Sequence, residues 1–262
     1  MKATVKPLLI ALAALLCLVG FVSNGYSLEF GARAYYWFPG LTADMKVDQD
    51  GTAGTDIDLK DDLGIDNESF PSVEAFAGMG KHHFSLIYTQ VNYSGSKTIT
   101  KPITFKGKTF ATGALVESDL KTRMLDMEYQ YDILNLENIL AGFSVGVIGK
   151  IKYLDGEAQL KSATPGSVHD QTEKFAVPIP MVGAGAHLGL LANILEARAK
   201  VTGMAYGGST FYDAMADISL TPFPFMDIHG GYRIMKLKVD NVSNVYADME
   251  FSGPYVGLTV GF

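Results

Sequence analysis

The most restrictive feature of this sequence is a series of segments in which apolar residues alternate with polar or small ones. In the first segment, 28–39, one parity carries only Leu28, Phe30, Ala32, Ala34, Tyr36 and Phe38. Glu29 and Arg33 fall on the other parity. Because successive side chains of a β-strand point to opposite faces, the segment predicts a strand with one apolar face and one charged face.

Nine further segments follow this rule, at 70–80, 83–94, 118–132, 141–155, 174–190, 195–206, 211–221, 226–239 and 247–262. Short links at 80–82, 133–140, 191–194 and 222–225 occupy alternate connections, and long polar segments at 40–69, 95–117 and 156–173 occupy others. Strands of about ten residues, with short turns at one end and long loops at the other, are typical of transmembrane β-barrels. The sequence therefore predicts an all-β, antiparallel barrel of about ten strands, within a range of eight to twelve.

Some residues fit this pattern poorly. In 83–94, Ile87 and Val91 fall on the parity opposite to Phe84, Leu86 and Tyr88. Proline cannot donate a hydrogen bond to a strand ladder, and three prolines lie inside predicted strands: Pro178, Pro180 and Pro254. We expect local bulges at these prolines, with Pro178 and Pro180 near the loop-bearing rim.

The charges on the inward parity are the candidate functional residues: Glu29, Arg33, Glu74, Asp126, Glu128, Lys150, Lys152, Glu196, Arg198, Lys200, Asp213, Asp217, Asp227 and Arg233. One hypothesis is a selective pore lined by both signs of charge. The alternative is a filled interior in which these groups pair with one another. Side chains can fill an eight-stranded barrel, whereas sixteen strands leave a channel, so ten strands favour a plug of ion pairs with at most a narrow water path.

The first 27 residues predict a secretory signal peptide. Lys2 and Lys6 precede an apolar run at 7–21, which is shorter than the roughly 20 residues a spanning helix needs. A polar stretch ends at Ser27, where we expect cleavage, with Gly25 as the alternative site. The barrel would then occupy 28–262. The single cysteine, Cys17, lies in the signal, so the mature chain would have no disulfide or thiolate metal site.

Charge further limits the function. The net charge of −7 has the wrong sign for a nucleic-acid partner. Nine acidic residues lie in 40–69 against Lys46 and Lys60. Within it, Asp48-Gln49-Asp50-Gly51 is similar to a calcium loop, but aligning Gly51 with the required glycine puts Lys46 and Ile57 at acidic ligand positions. We therefore expect a solvated acidic loop that divalent ions can bridge to lipopolysaccharide, with no EF-hand metal site and no cofactor.

The chain ends in an alternation of apolar and small residues with a terminal aromatic, carried by Tyr255, Leu258, Val260 and Phe262. This strand resembles the C-terminal assembly signal of small bacterial outer-membrane β-barrel proteins. The resemblance covers the whole mature chain and identifies no subfamily. It implies a location in the outer membrane, recognition by the barrel-assembly machinery, and contact with outer-membrane lipid and lipopolysaccharide.

Two pairs, Asp61-Asp62 and His169-Asp170, loosely resemble the acidic and His-Asp dyads of omptin-type proteases. Both pairs fall in predicted loops, whereas catalysis needs such groups on rigid strand ends. We therefore expect that the protein is not an enzyme. The sequence favours a structural or narrow-pore role, with surface binding or adhesion through the acidic loops as the alternative and a membrane-embedded hydrolase as the third. The solute, the partner and the oligomeric state stay open.

Overall fold

The computed structural model describes residues 28–49, 51–136, 142–164, 167–190, 194–242 and 244–262. The predicted signal peptide lies outside the described residues. No helix among the described residues is long and apolar enough to cross a membrane. The strands are β1 (Leu28–Trp37), β2 (Gly40–Val47), β3 (Ile57–Asp58), β4 (Phe70–Met79), β5 (His82–Thr98), β6 (Ile103–Phe105), β7 (Lys108–Phe110), β8 (Leu115–Asn135), β9 (Phe143–Thr164), β10 (Ser167–Leu190), β11 (Leu195–Tyr206), β12 (Ser209–Phe223), β13 (Met226–Val242) and β14 (Val245–Gly261).

Among the described residues, ten strands form a closed antiparallel wall in the order β1, β4, β5, β8, β9, β10, β11, β12, β13, β14, with β14 paired back to β1. This confirms the predicted ten-stranded all-β barrel. β2 continues the path of β1 along β14. The backbones of Phe30 and Phe262 exchange hydrogen bonds of 3.0 and 2.9 Å, so the first and last strands meet beside the short turns. We call this the turn end of the barrel and the opposite end the loop end.

Prolines account for the break between β1 and β2. The register on either side sets Phe38 opposite Pro254. The amide of Phe38 donates to the carbonyl of Pro254 at 3.0 Å, but Pro254 has no N–H to return the bond. The chains approach closely here, because a Cβ on Gly253 would lie 2.0 Å from the Phe38 carbonyl oxygen. The irregularity expected at Pro254 is therefore an interruption of the closing ladder.

An apolar belt surrounds the turn-end part of the wall. Its outward side chains include Val147, Ile151, Val201, Ile218 and Leu258, each between 46% and 60% exposed. Aromatic side chains mark its two edges, with Phe30, Tyr131 and Phe262 near the turn end and Tyr88, Tyr153 and Tyr212 towards the loop end. On β9, ten residues of a tilted strand separate Phe143 from Tyr153, which gives a band about 25 Å tall, the height expected of a transmembrane barrel.

Beyond the second aromatic level the polarity of the strands inverts. On β9, Leu154, Ala158 and Leu160 are buried inside the barrel, whereas Asp155 and Glu157 point outward. Water surrounds this part, so its outer face must be polar and its interior apolar. The interpretation of 156–173 as a long loop was therefore wrong, because β9 and β10 extend through almost all of it. β2, β5 and β8 also extend into the ends of 40–69 and 95–117, the other two long connections.

The same inversion explains the mixed faces of β5. Ile87 and Val91 are 5% and 1% exposed and lie inside the barrel, whereas Phe84, Leu86 and Tyr88 lie outside. The inward parity of β5 thus carries apolar residues because they pack into an apolar interior. The chain follows one parity rule along the strand, with no bulge in its pairing to β4 or β8.

Candidate functional site in the barrel lumen

The lumen contains three successive layers. The turn-end cavity, of about 610 Å³, is bordered by charged side chains that include Glu29, Arg33, Glu74, Glu196 and Arg198. Next comes the ion-pair layer, which consists of Asp126, Glu128, Lys150, Lys152, Asp213 and Arg233. The loop-end half is filled by the apolar plug, made of inward wall residues together with the segments 57–65 and 99–114.

The ion-pair layer is a connected network. The Nζ atom of Lys150 lies 3.5 Å from a carboxylate oxygen of Asp126 and 3.3 Å from oxygens of both Glu128 and Asp213. The Nζ atom of Lys152 lies 2.6 Å from Asp126 and 3.2 Å from Asp213. The guanidinium of Arg233 donates to both carboxylate oxygens of Asp213, at 2.9 and 2.8 Å.

These six side chains belong to residues that are at most 7% exposed. Removing a charge from water costs several kcal/mol even after relaxation, so such groups persist only when opposite charges and hydrogen bonds compensate them. Three cations face three anions, and the layer is neutral. The arrangement stabilises a closed lumen rather than a row of solvated charges.

Further ion pairs connect this layer with the turn-end cavity. The shortest N–O distances are 2.8 Å for Arg33–Glu74, Lys200–Glu128 and Arg198–Asp217. The hydroxyl of Tyr255 also donates to Asp217 at 2.6 Å. All of these acidic and basic groups except the phenol line the cavity, so its wall carries both signs of charge in pairs.

The remaining inward charges lie nearer the turn end. Glu29 lines the cavity, and Glu196 is 3.4 Å from the Nε2 atom of His187. Asp227 accepts a hydrogen bond from the Thr221 hydroxyl at 2.7 Å and makes none of the ion pairs described above. The structure therefore brings together most of the charges on the inward parity, but it leaves Asp227 outside the network.

Several aromatic and polar groups of the lumen were not among the predicted site residues. The Arg233 guanidinium donates to the Tyr35 hydroxyl at 3.2 Å and lies 5.0 Å above the Trp37 ring. The Thr259 hydroxyl lies 3.3 Å from His229 Nδ1. Tyr35 and Tyr255 are 5% and 3% exposed and lie inside the barrel. The sequence already indicates that Tyr35 and Trp37 face inward, since they share the parity of Arg33.

The apolar plug closes the loop end. Trp37, which is 0% exposed, donates from Nε1 to the Gly253 carbonyl at 3.2 Å. From the two inserted segments, Ile57, Leu59, Ile103, Phe105 and Phe110 are each at most 1% exposed. Backbone hydrogen bonds hold these segments in place, including Leu59 N to Ala43 O at 2.9 Å and Thr55 N to Thr104 O at 2.8 Å. The inserted segments therefore pack as part of the barrel core.

The acidic residues of the loop end form a row across three strands. Asp44 of β2 lies directly opposite Asp58 of β3 on one side and Asp248 of β14 on the other. Burial and the neighbouring carboxylates of Asp58 and Asp248 raise the pKa of the Asp44 carboxyl above its ordinary value. In the part of the chain that the structure describes, no group of three or more His, Cys, Asp or Glu side chains could hold a metal ion.

The two pairs that resemble omptin dyads have separate environments. Asp62 lies 2.6 Å from Lys101 Nζ and accepts a hydrogen bond from the Asp58 amide at 3.0 Å. The His169 ring packs edge-on against Phe110 at 5.4 Å, and Asp170 accepts a hydrogen bond from Gln159. His169 and Asp170 are consecutive on β10 and so point to opposite faces of the wall.

The fold is similar to those of solved outer-membrane barrels. The outer membrane protease OmpT from Escherichia coli aligns with a TM-score of 0.58 and 8% sequence identity, covering 92% of this chain and 99% of that chain. The translocator domain of the autotransporter NalP from Neisseria meningitidis gives a TM-score of 0.42 and 11% identity, covering 97% and 95%. Ail, the attachment invasion locus protein of Yersinia pestis, gives 0.37 and 11%, covering 90% and 99%.

No protein-family model matches this sequence, and no curated protein does either. Of the three structural comparisons, the one with OmpT carries the argument about the fold. It agrees with the closed ten-stranded wall and the apolar belt of the described residues. The chain therefore has the fold of a small bacterial outer-membrane β-barrel protein, and its apolar belt places it in that membrane.

Proposed function

We propose that this protein is a plugged outer-membrane barrel, which does not pass ions and serves a structural role. The observation that carries the proposal is the apolar plug, because it fills the lumen beyond an ion-pair layer that is itself neutral and buried. An unpaired ion in a dry medium of low dielectric constant costs tens of kcal/mol by Born solvation. A stable plug of this kind blocks ion flow even though the turn-end cavity is polar.

The test is single-channel conductance of the refolded barrel in planar bilayers, at neutral pH and again in acid. We expect no steady conductance from protein that shows the heat-dependent gel mobility of a folded barrel. Steady current that changes in Lys150→Ala or Arg198→Ala would contradict the proposal and establish a charged, water-filled lumen. The matched control is Lys174→Ala, because the Lys174 side chain is 75% exposed on β10.

A second function, surface binding, is favoured by the carboxylate row of Asp44, Asp58 and Asp248. Like charges directly opposite one another destabilise a sheet, and a cationic partner would relieve that repulsion. We expect vesicles containing the barrel to bind polylysine in low salt, and the triple Asp→Asn variant at these positions to bind it several-fold more weakly. Equal polylysine binding by the unmodified barrel and the triple variant would show that the carboxylate row is not the binding surface.

No catalytic role is part of the proposal. His169 and Asp170 point to opposite faces of β10, and Asp62 is engaged by Lys101. Retention of any measured hydrolysis in His169→Ala would separate that activity from the omptin-like pairs. We propose two further partners. Lipopolysaccharide would contact the partly exposed Arg123 and Lys236, and the barrel-assembly machinery would recognise β14. Leu258 and Val260 of β14, and Phe262 just after it, point outward, whereas Tyr255 points into the lumen.

A further inference from the structure

The barrel wall has a gap between β10 and β11. β10 pairs with β9 along nearly its whole length, from Ser167 to Leu188, but with β11 only from Val182 to Leu190. β11 ends at Tyr206, and its last residues pair with β12 alone. Between β10 residues 167–181 and the end of β11, the described residues therefore form no ladder. We call this opening the wall gap.

Two prolines lie on the unpaired edge. The Gly189 amide donates towards the β9 side, to Gly142 O at 3.2 Å, so amides of even-numbered β10 residues face β11. Pro178 and Pro180 are even-numbered and present no N–H to a partner strand. The bulge expected at these residues is absent, since β10 keeps its register with β9 throughout. The prolines instead leave the edge facing β11 without a donor at positions 178 and 180.

The wall gap begins inside the apolar belt. Pro180 lies opposite Ile151, and Pro178 lies opposite Tyr153. Ile151 and Tyr153 are 46% and 40% exposed on the lipid-facing side, with Tyr153 in the aromatic level nearer the loop end. The part of the wall gap at Pro178 and Pro180 therefore faces the hydrocarbon and interface of the outer leaflet, because the loop end is the outer end of such barrels. Phe175, opposite Gly156, lies just beyond the second aromatic level.

A small apolar cavity in the lumen borders the wall gap at Phe175. Its volume is about 50 Å³, and its lining includes Phe175, Phe211, Met124, Met235 and Met249. Phe175 lies on the unpaired edge of β10 and also lines the cavity. It therefore marks the opening of the cavity into the wall gap, which we call the mouth. A Cβ on Gly156 would lie 2.1 Å from the Phe175 ring, which shows that the ring rests against this glycine.

Residues at the mouth are accessible despite their inward parity. Phe175 and Val177 pair with the inward residues Gly156 and Leu154, yet they are 37% and 40% exposed. Elsewhere on the same parity of β10, Ile179 and Met181 are 6% and 2% exposed. The interior is thus reachable from the side at Phe175 and closed next to it.

We propose that the wall gap admits the end of an acyl chain from an outer-leaflet lipid into this cavity. The lining contains no charged side chain, so a polar ligand would lose its hydrogen bonds there. The volume is about a third of the roughly 150 Å³ apolar cavity that takes benzene, which fits a chain end rather than a ring. Flexible methionine side chains can adjust around a chain.

The methionines also provide the test. Nuclear Overhauser effects would be measured between ¹³C-labelled methionine methyl groups and the acyl chains of phosphatidylcholine nanodiscs that contain the folded barrel. Met127 is outward and 45% exposed, so it is the positive control; Met45, inside the apolar plug, is the negative control. We expect acyl-chain cross-peaks at Met235 and Met249 as well as at Met127, and none at Met45.

Substitutions at the mouth and in the cavity test whether the lipid acyl chain enters through the wall gap. We expect Phe175→Ala to strengthen the cavity cross-peaks roughly twofold, because loss of the ring enlarges mouth and cavity together. Val91→Phe should abolish them by filling the cavity, whereas Val73→Phe on the lipid-facing side should leave them unchanged.

Cross-peaks at Met127 alone, in both the unmodified barrel and Phe175→Ala, would overturn the proposal. Cross-peaks from Met235 and Met249 to added free hexane, with none to the lipid acyl chains, would overturn it too, since the occupant would then be a free hydrocarbon. These outcomes are independent of conductance, so the proposal stands or falls separately from the plugged-barrel function.

Discussion

Asp213→Asn is expected to destabilise the folded barrel by about 3–5 kcal/mol, because it removes the anion that faces three buried cations. Asp213 lies 2.8 Å from Arg233, 3.3 Å from Lys150 and 3.2 Å from Lys152. Asparagine has nearly the same shape, so the loss reports charge rather than a cavity. The measurement is a urea titration in lipid vesicles, with the folded fraction followed by heat-dependent gel mobility.

The matched control is Asp155→Asn at the rim. Asp155 pairs with Arg123 at 2.8 Å, but their side chains are 41% and 64% exposed. Water and salt screen such a pair, so its loss should change stability by less than about 1 kcal/mol. Equal effects of the two substitutions would mean that water reaches the ion-pair layer, and the plugged lumen would then be wrong.

Trp37→Ala should cost about 3–5 kcal/mol, the range for deleting a large buried aromatic side chain. Trp37 is 0% exposed, its ring centroid lies 6.4 Å from that of Phe251, and Arg233 lies above its face. The substitution removes packing at the junction of the ion-pair layer and the apolar plug. Trp37 is the only tryptophan, so the variant has no tryptophan fluorescence with which to follow unfolding. The urea titration is therefore followed by gel mobility.

Trp37→Phe separates the contributions to that loss. It keeps most of the ring and removes the hydrogen bond from Nε1 to the Gly253 carbonyl. We expect a cost of roughly 1–2 kcal/mol from the lost bond and the smaller ring. If Trp37→Ala proves no worse than Trp37→Phe, the interior around Trp37 is not close-packed, and the loop end would be open to water.

The wall of the barrel follows from the sequence because the parity rule is local. From Phe143 to Tyr153 the outward residues are apolar or glycine, and the charged Lys150 and Lys152 face the lumen. The rule reverses after Tyr153, where water replaces lipid outside. A pattern defined by apolar outward residues therefore stops at this point, and the extension of β9 to Thr164 was interpreted as loop.

The partners within the lumen could not be predicted in the same way. Parity places Lys150 and Asp213 inside, but these residues are 63 positions apart and belong to strands that are not neighbours in the wall. Their contact depends on the register of every strand between them and on the closure of the barrel. The wall gap has the same origin, because only the relative lengths of β10 and β11 reveal an unpaired edge.

Closure of the wall by β1 and β14 has a kinetic consequence. Arg33 and Thr259, in contact across this seam, are 226 residues apart. Bringing such distant residues together costs about 5 kcal/mol of chain entropy for a flexible loop. Until β14 is in place, the sheet keeps two free edges that can pair with other chains. Folding of this chain is therefore expected to end with its last strand, and a chain that stops short of β14 would remain an open sheet prone to aggregation.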